Sequence, residues 1–593
     1  MLRLALVSSV VAVGALLAAG PAATQQTALF PGVTYENGVQ FTPHGPVAIR
    51  VVRGPKPVGL YRLRTTLSNE TVLGRETVSS MQRRLASQAT MVGVNGDFSR
   101  FADGNPSGIM LRDGVLIAPP NGKRSSAGIG LDGVLDVRRV AFRGTWRGTG
   151  QRRSLTHFND VPGKNGIALL TSDYGRTTPR IAGSYAVVLS PFPASVPNAD
   201  LVAPVTAGTA DVPVRLAPGT AAILARGNAA VRLRAEAAVG STLTLRLILA
   251  PDWSTVSDAI GGGPVLVRDG KPVYRANEAF TVSQIAPRHP RTAIGQLADG
   301  RILLVVVDGR QPGYSVGMTT FEMALTMARL GAVRAMQLDG GGSSTIAFEG
   351  HVLNSPSDGR ERPISTALML QYYGVYALPP LEQVVSPNGD GVAEAQELSF
   401  KVVRPSTTTA TLTAPDGAIA WQEAAVPRDP GTYEVAFPPL PPPPPPPGGT
   451  PPPQPTTPVE PVEGRWTLTV TGLDDQGLSS TATRRFWVNS TLASLRVAPG
   501  RVVVRPTGGR VDIRWTQARA SRAKVTIETA EGIVVRTVSN TPVQAGELAV
   551  IWDGRAGNRK PVGTGRYVAR VTATNELGVV SLTQFVTVRR VAR

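Results

Sequence analysis

The sequence has no cysteine among its 593 residues and only four histidines. Without thiols the chain forms no disulfide, has no cysteine nucleophile and takes no lipid at a cysteine. The scattered histidines leave no cluster with zinc-ligand spacing, so no metal site is read from them. Aromatic residues are scarce, at 5%. Acidic residues are few beside basic ones, 42 against 61, for a formal charge of +19. Long apolar runs are missing beyond the N-terminus, so no later segment reads as an integral membrane span. The basic residues are dispersed, with no aromatic-interleaved stripe, which argues against nucleic acid as a partner. An anionic cell-envelope surface, or a substrate carrying phosphate, accounts for the charge more simply.

What is present points to several domains, since a chain of this length exceeds one core. Arg3, the apolar stretch Leu4–Ala19 and the small residues Gly20–Ala23 read as a secretory signal over residues 1–23, against the alternative of an uncleaved anchor. An exported chain without cysteine suits a bacterium, giving an expected location that is secreted, periplasmic or envelope-associated. Valine, threonine, glycine and proline abound. Residues 126–260 alternate short Val/Leu/Arg strands with turns, and a helix-like stretch, Thr77–Ala89, precedes the strand Met91–Val94. The fold class expected for residues 24–378 is therefore α+β, with mixed β-sheets and a few helices.

The densest chemistry lies between residues 291 and 345. Two apolar runs, Ile302–Val307 and Ala335–Leu338, each end in an aspartate followed by glycine: Asp308-Gly309 and Asp339-Gly340. Such runs read as buried strands, and a carboxylate at a strand end beside glycine is well placed to meet a ligand. Asp308 and Asp339 are the leading candidate carboxylates; the plainer reading is two turn aspartates. Thr319 and Glu322 have capping-box spacing ahead of a helix, with Gly331 as its C-terminal cap. Glu322 is thus either a cap or a substrate contact. Met318, Met323 and Met327 fit the core side of that helix.

These residues occur with Asn95-Gly96-Asp97-Phe98, Gly261–Gly270, Arg288–Gly295, Gly317–Thr319 and Leu353–Ile364, in an order and spacing that resemble the phosphodiester glycosidase family over residues 30–375. Two departures stand out. Asp97 replaces a glycine of the family's usual NGGFF or NGGYF, and Gln337 replaces an asparagine before LDGGGSS. The sugar specificity of the family is therefore not carried over.

The resemblance implies a secreted hydrolase of sugar-1-phosphodiesters in envelope or extracellular glycans, with a phosphodiester-linked glycan as partner. Breaking the C1–O bond builds positive charge on the sugar and a second negative charge on phosphate. Such a site needs carboxylates near C1 and arginines or backbone N–H groups for phosphate. Asp339 is the expected nucleophile or general base, with Asp308 as its partner and the division of roles open. Arg291 and Arg310 are expected as phosphate clamps, and Gly340, Gly341, Gly342, Ser343 and Ser344 as an anion cradle. His289 either donates to phosphate or orders a Pro-flanked turn. Asn95, Asp97, Thr292, Asn354 and Arg362 are expected to bind substrate. No cofactor is expected for the reaction.

Composition changes after Tyr376. Residues 379–490 read as an Ig-like β-sandwich carrying a Pro-rich insertion, 438–458, which cannot join a sheet. In that module Asn388 and Asp390 are candidate calcium ligands, against the plainer reading of a turn. Residues 491–593 resemble the Ig-like domain of the flagellar hook-capping protein, with Trp552 in its core and Asp553-Gly554 at a turn. Two other functions remain open: a carbohydrate-binding or surface-structural protein with a non-catalytic pocket, and a glycoside hydrolase acting on a non-phosphorylated glycan. The latter has no use for two arginines in its pocket.

Overall fold

The computed structural model describes residues 25–273, 276–389, 391–439 and 461–591. The expected signal 1–23, most of the Pro-rich segment and Asp390 lie outside the described residues. The chain divides into two compact units, one holding residues 1–86 and 91–372, the other residues 87–90 and 373–593.

Strand-forming sequence dominates the first unit. An eight-stranded sheet runs in the order Gln25–Phe30, Val33–Thr42, Gly45–Gly54, Ile302–Val307, Arg291–Leu297, Ala332–Gln337, Val265–Arg268 and Lys271–Pro272. Its centre is buried on both faces, and Arg291–Leu297 and Ile302–Val307 are buried at every position, the latter as its unbroken apolar run requires. Ile302–Val307 and Ala332–Gln337 both pair antiparallel with Arg291–Leu297, with Arg291 opposite Val307 and Ala293 opposite Gln337. They therefore run in the same direction, and Asp308 and Asp339 emerge at one end of the sheet.

A second eight-stranded sheet is built entirely from residues 141–250, and two five-stranded sheets complete the unit. One of the latter places Thr90–Asn95 between Ile346–Phe348 and Thr366–Tyr372, so that Asn95 ends beside the loop that follows Asp339.

The α+β expectation is overturned. Among the described residues strands make up 53% and helices 7%, with four α-helices of 8, 9, 4 and 10 residues. The β-branched alternation of residues 126–260 yields strands throughout, interrupted by the single helix Asn228–Glu236. The helix read from Thr77 onward exists as Val78–Leu85, with Thr77 as its cap. Helix Thr320–Arg329 also forms where its signals place it. Thr319 and Glu322 make the reciprocal capping box, and Met323, Ala324 and Met327 are buried against Leu266, Val267 and Val305.

The second unit contains two all-β sandwiches, each a three-stranded and a five-stranded sheet. The first packs Phe400, Phe437, Trp466 and Phe486 in its core; the second packs Trp515 and Trp552. Gly431–Phe437 and Gly464–Asp474, the strands on either side of the Pro-rich segment, belong to the two sheets of the first sandwich. The Asn388 side-chain amide donates to Ser386 Oγ and Leu492 O. No group of three or more His, Asp or Glu residues is arranged for a metal among the described residues.

Candidate active site

A cleft of about 310 Å³ opens at the sheet end where Asp339 emerges. Of the residues singled out from sequence, Asp97, His289, Arg291, Arg310, Asp339, Gly340, Gly341, Gly342, Ser343 and Arg362 line it.

Asp339 is half-buried. Its Oδ1 accepts the Gly340 N–H at 2.8 Å. Burial pushes its carboxyl up to about 6, against the opposing pull of the Ser343 hydroxyl, the Gly340 N–H, Arg362 and Arg124. Beside it stands Asp97, only 4% exposed. Its Oδ1 accepts the Phe98 N–H at 2.8 Å, while Oδ2 has no hydrogen-bond partner of normal geometry and packs against the Cα atoms of Gly108 and Gly261. Burial pushes Asp97 up to about 7; the Phe98 N–H and the Arg124 guanidinium pull it down, and the charge of Asp339 adds to the rise. Two carboxyls that share one cleft and resist joint ionisation can hold a proton between them near neutrality.

Asp308 is not the partner of Asp339. It is buried away from the cleft in a polar knot. Its Oδ1 accepts from Asn354 Nδ2 at 2.8 Å, its Oδ2 from the Tyr314 hydroxyl at 3.0 Å, and both accept the Ser355 N–H. Arg50 pairs with it at 3.6 Å. Asn354 also accepts the Ile346 N–H and donates to Ser344 O. Asp308 and Asn354 thus tie the loops after residues 308 and 353 together, and Asn354 does not reach the cleft.

Arg291 lies at the cleft but turns its fork inward. Nε donates to Met318 O, Nη1 to Gln284 O, and Nη2 to Pro287 O, at 2.8–2.9 Å. Burial, with the nearby Arg310, brings it down to about 10. A guanidinium engaged with backbone carbonyls in this way holds loop 284–289 in place instead of gripping a ligand. Arg310 is the exposed one. It has a positive φ of 59°, donates through Nε to His289 Nδ1 at 3.3 Å, and leaves Nη1 and Nη2 over Gly341. Burial and the charges of Arg310 and Arg291 hold His289 below its ordinary value, so it meets Arg310 as a neutral acceptor.

The glycines are required by close approach. A Cβ on Gly340 would sit 2.9 Å from Pro290 O, and one on Gly342 would overlap the Arg362 guanidinium. The expected row of anion-binding N–H groups is nevertheless reduced. Those of Gly340, Gly341, Ser343 and Ser344 already serve Asp339 Oδ1, Pro290 O, Gly340 O and Gly341 O. Gly342 alone keeps its N–H unengaged. Ser344 is buried outside the cleft.

Asn95 and Thr292 position the site from beneath. Asn95 is fully buried; its Nδ2 donates to Asp339 O at 2.8 Å, and its Oδ1 accepts from Thr292 Oγ1 at 2.7 Å and the Thr345 N–H at 3.1 Å. Glu322 caps its helix and pairs with Arg288, outside the cleft. Sequence reasoning missed Arg75, Phe101, Phe280 and Gln284 on the cleft wall and Arg124 behind it. None of them carried a sequence signal, and Phe98 was visible only as part of the Asn95–Phe98 motif.

Residues 200–371 match the phosphodiester glycosidase family and residues 503–576 the FlgD Ig-like domain. Over 107 residues the chain is 41% identical to the SPbeta prophage-derived uncharacterized protein YomE of Bacillus subtilis (strain 168), covering 18% of this chain and 16% of that protein. Over 68 residues it is 38% identical to the N-acetylglucosamine-1-phosphodiester alpha-N-acetylglucosaminidase of Bos taurus, 12% of each chain. The matches thus span less than a fifth of these relatives' length. Among solved structures, a hypothetical protein from Synechocystis is similar with a TM-score of 0.49 and 23% identity, covering 60% of this chain and 64% of its own. Asp97 and Arg75 precede the span that is similar to the phosphodiester glycosidase family, residues 200–371, whereas Arg291, Arg310 and Asp339 fall within it.

Proposed function

We propose that this cleft cleaves the glycosidic C1–O bond of a sugar-1-phosphodiester. The observation that carries the reading is the meeting, in one cleft, of the carboxyls of Asp339 and Asp97 with the exposed guanidinium of Arg310 and with Arg362, itself paired with Asp358 at 2.6 Å, beside the glycine turn. Asp339, ionised, faces the positive charge that develops at C1 and either attacks or activates water. Arg310, Arg362 and the Gly342 N–H meet the second negative charge that appears on phosphate. Phosphate leaves readily, so this reaction asks for no strong acid.

A second reading draws on two features. Arg291 is committed to backbone carbonyls, which removes one of two expected clamps. Asp97 holds its proton to about pH 7 and so offers an acid of the kind an ordinary glycoside needs. On that reading the substrate is a glycan without phosphate.

One experiment separates the two. A panel of sugar-1-phosphodiesters and the matching aryl glycosides is assayed with the intact chain and with Arg310→Ala. The phosphodiester reading expects Arg310→Ala to lose about ten- to a hundredfold in kcat/KM on the phosphodiester and little on the glycoside, as for one charge-assisted contact. Equal losses on both favour the second reading, and no turnover of either class removes both.

Export to the envelope or beyond belongs to the same proposal. It rests on the N-terminal pattern of residues 1–23 and on the charge of +19, which suits an anionic surface. Among the described residues no helix is long and apolar enough to cross a membrane.

A further inference from the structure

Phenylalanine is sparse in this chain, 14 residues in 593, yet Phe98, Phe101 and Phe280 all line the cleft that holds Asp339. Phe101 is 83% exposed. A single exposed apolar side chain is ordinary in itself. This one is held in place by a braced hairpin.

The hairpin spans residues 98–107. Arg100 N–H donates to Asn105 O at 3.0 Å, Gly104 N–H to Arg100 O at 2.9 Å, and Ser107 N–H to Phe98 O at 2.8 Å. The Arg100 guanidinium is bidentate to both Asp103 and Asp160. Asn105 Nδ2 donates to Asn159 O at 3.0 Å. On the other side Gly74 N–H donates to Asp103 O at 2.6 Å, and a Cβ on Gly104, at φ +81°, would overlap the Gly74 carbonyl. That close approach brings Arg75 onto the ring. Its guanidinium carbon is 5.6 Å from the Phe101 centroid, and its Nη2 donates to the carbonyls of Arg100 and Phe101. A cation thus backs the ring on one side and leaves the rest of it open.

Phe98 and Phe280 are backed in the same way. Their centroids are 5.7 Å apart, and the Arg124 guanidinium carbon lies 4.9 and 4.6 Å from them. An aromatic face is electron-rich, and a pyranose presents a face of C–H groups, apolar and weakly positive, with hydroxyls around its edge. A fixed, open phenyl ring at a polar cleft matches the sugar's C–H face.

We propose that Phe101, backed by Arg75, is a stacking platform for a second sugar ring, so that the cleft takes a glycan of at least two units in place of an isolated sugar phosphate. The inference rests on the hydrolase reading for the bond that is broken, but the binding it describes does not depend on turnover.

The test uses the intact chain, Phe101→Ala and Phe101→Trp. The sugar of the panel turned over best is offered as its methyl phosphodiester and as its phosphodiester to a disaccharide. Phe101→Ala is expected to lower kcat/KM on the disaccharide ester by about tenfold, through KM, and to leave the methyl ester unchanged. Phe101→Trp keeps the ring and is expected to keep the preference. Equal effects on both esters, or none on either, overturn the platform. If the intact chain turns over neither ester, the hydrolase reading fails by itself, and calorimetric titration with glucose, mannose, N-acetylglucosamine and their trisaccharides decides the platform. Trisaccharides are then expected to bind more tightly than their monosaccharides, with Phe101→Ala erasing the difference. No such difference in any pair overturns the proposal.

Discussion

Asp339 and Asp97 share a cleft; burial raises both carboxyls, and the charge of Asp339 makes Asp97 harder still to ionise. Attack or base catalysis needs Asp339 charged, so the rate is expected to rise with pH through about 6. If the leaving group is phosphate, the rate then stays level; a fall above about 7 means that the Asp97 proton is used as well. Asp339→Asn keeps the shape and loses the charge. We predict a loss on the order of a thousandfold or more in kcat/KM with an unchanged circular dichroism spectrum; near-normal turnover removes Asp339 from the chemistry. Asp97 also bears on stability. Its folded value, about 7, lies above its ordinary 3.8. Its contribution is therefore fully present below about pH 4 and is lost as pH rises through about 7. Asp97→Asn is expected to unfold at a higher temperature than the parent at pH 8 and at nearly the same temperature at pH 4. A variant less stable at pH 8 would show that the carboxylate is welcome there.

Elements meet at Asn95. The strand Thr90–Asn95 ends in it, Thr292 reaches it from the strand Arg291–Leu297, and the loop carrying Asp339 and Thr345 closes on it. Asn95→Ala leaves Asp339 O and the Thr345 N–H buried without partners. A loss of about 2–4 kcal/mol in unfolding free energy is expected, with a fall in kcat that outlasts any correction for unfolded protein. A variant as stable and active as the parent would make the knot incidental. Some of these elements are legible in sequence. The capping box at Thr319 and Glu322, the buried runs before Asp308 and Asp339, and the methionine-lined helix face follow from local period and turn chemistry. The nearly all-β character was less legible, because a few helix-like stretches weigh more in a linear reading than they do in the folded mass.

The whole molecule separates its tasks. Every cleft-lining residue lies between Arg75 and Ile364, inside the first compact unit. A chain cut after residue 378 is therefore expected to unfold cooperatively and to turn over a short substrate with the parent's kcat/KM, while a molten or inactive product would tie the cleft to the sandwiches. What the sequence by itself determined is local: turn glycines after Asp339, strand runs, helix caps, aromatic sandwich cores, and the motif set that resembles a family. What tertiary structure decided is which of these groups meet. Asp308 and Asp339 reach the same sheet end and look equivalent along the chain, yet Arg50, Tyr314 and Asn354 draw one into a buried knot while Gly340 and Ser343 hold the other at the cleft. Arg291 looks like a clamp until the carbonyls of residues 284, 287 and 318 arrive beside it. Asp97 becomes the second carboxyl because a strand some 240 positions away ends next to it. Periodicity and turn chemistry act over a few residues and so can be read directly; partners of a side chain depend on sheet order, which joins segments that are distant in the chain.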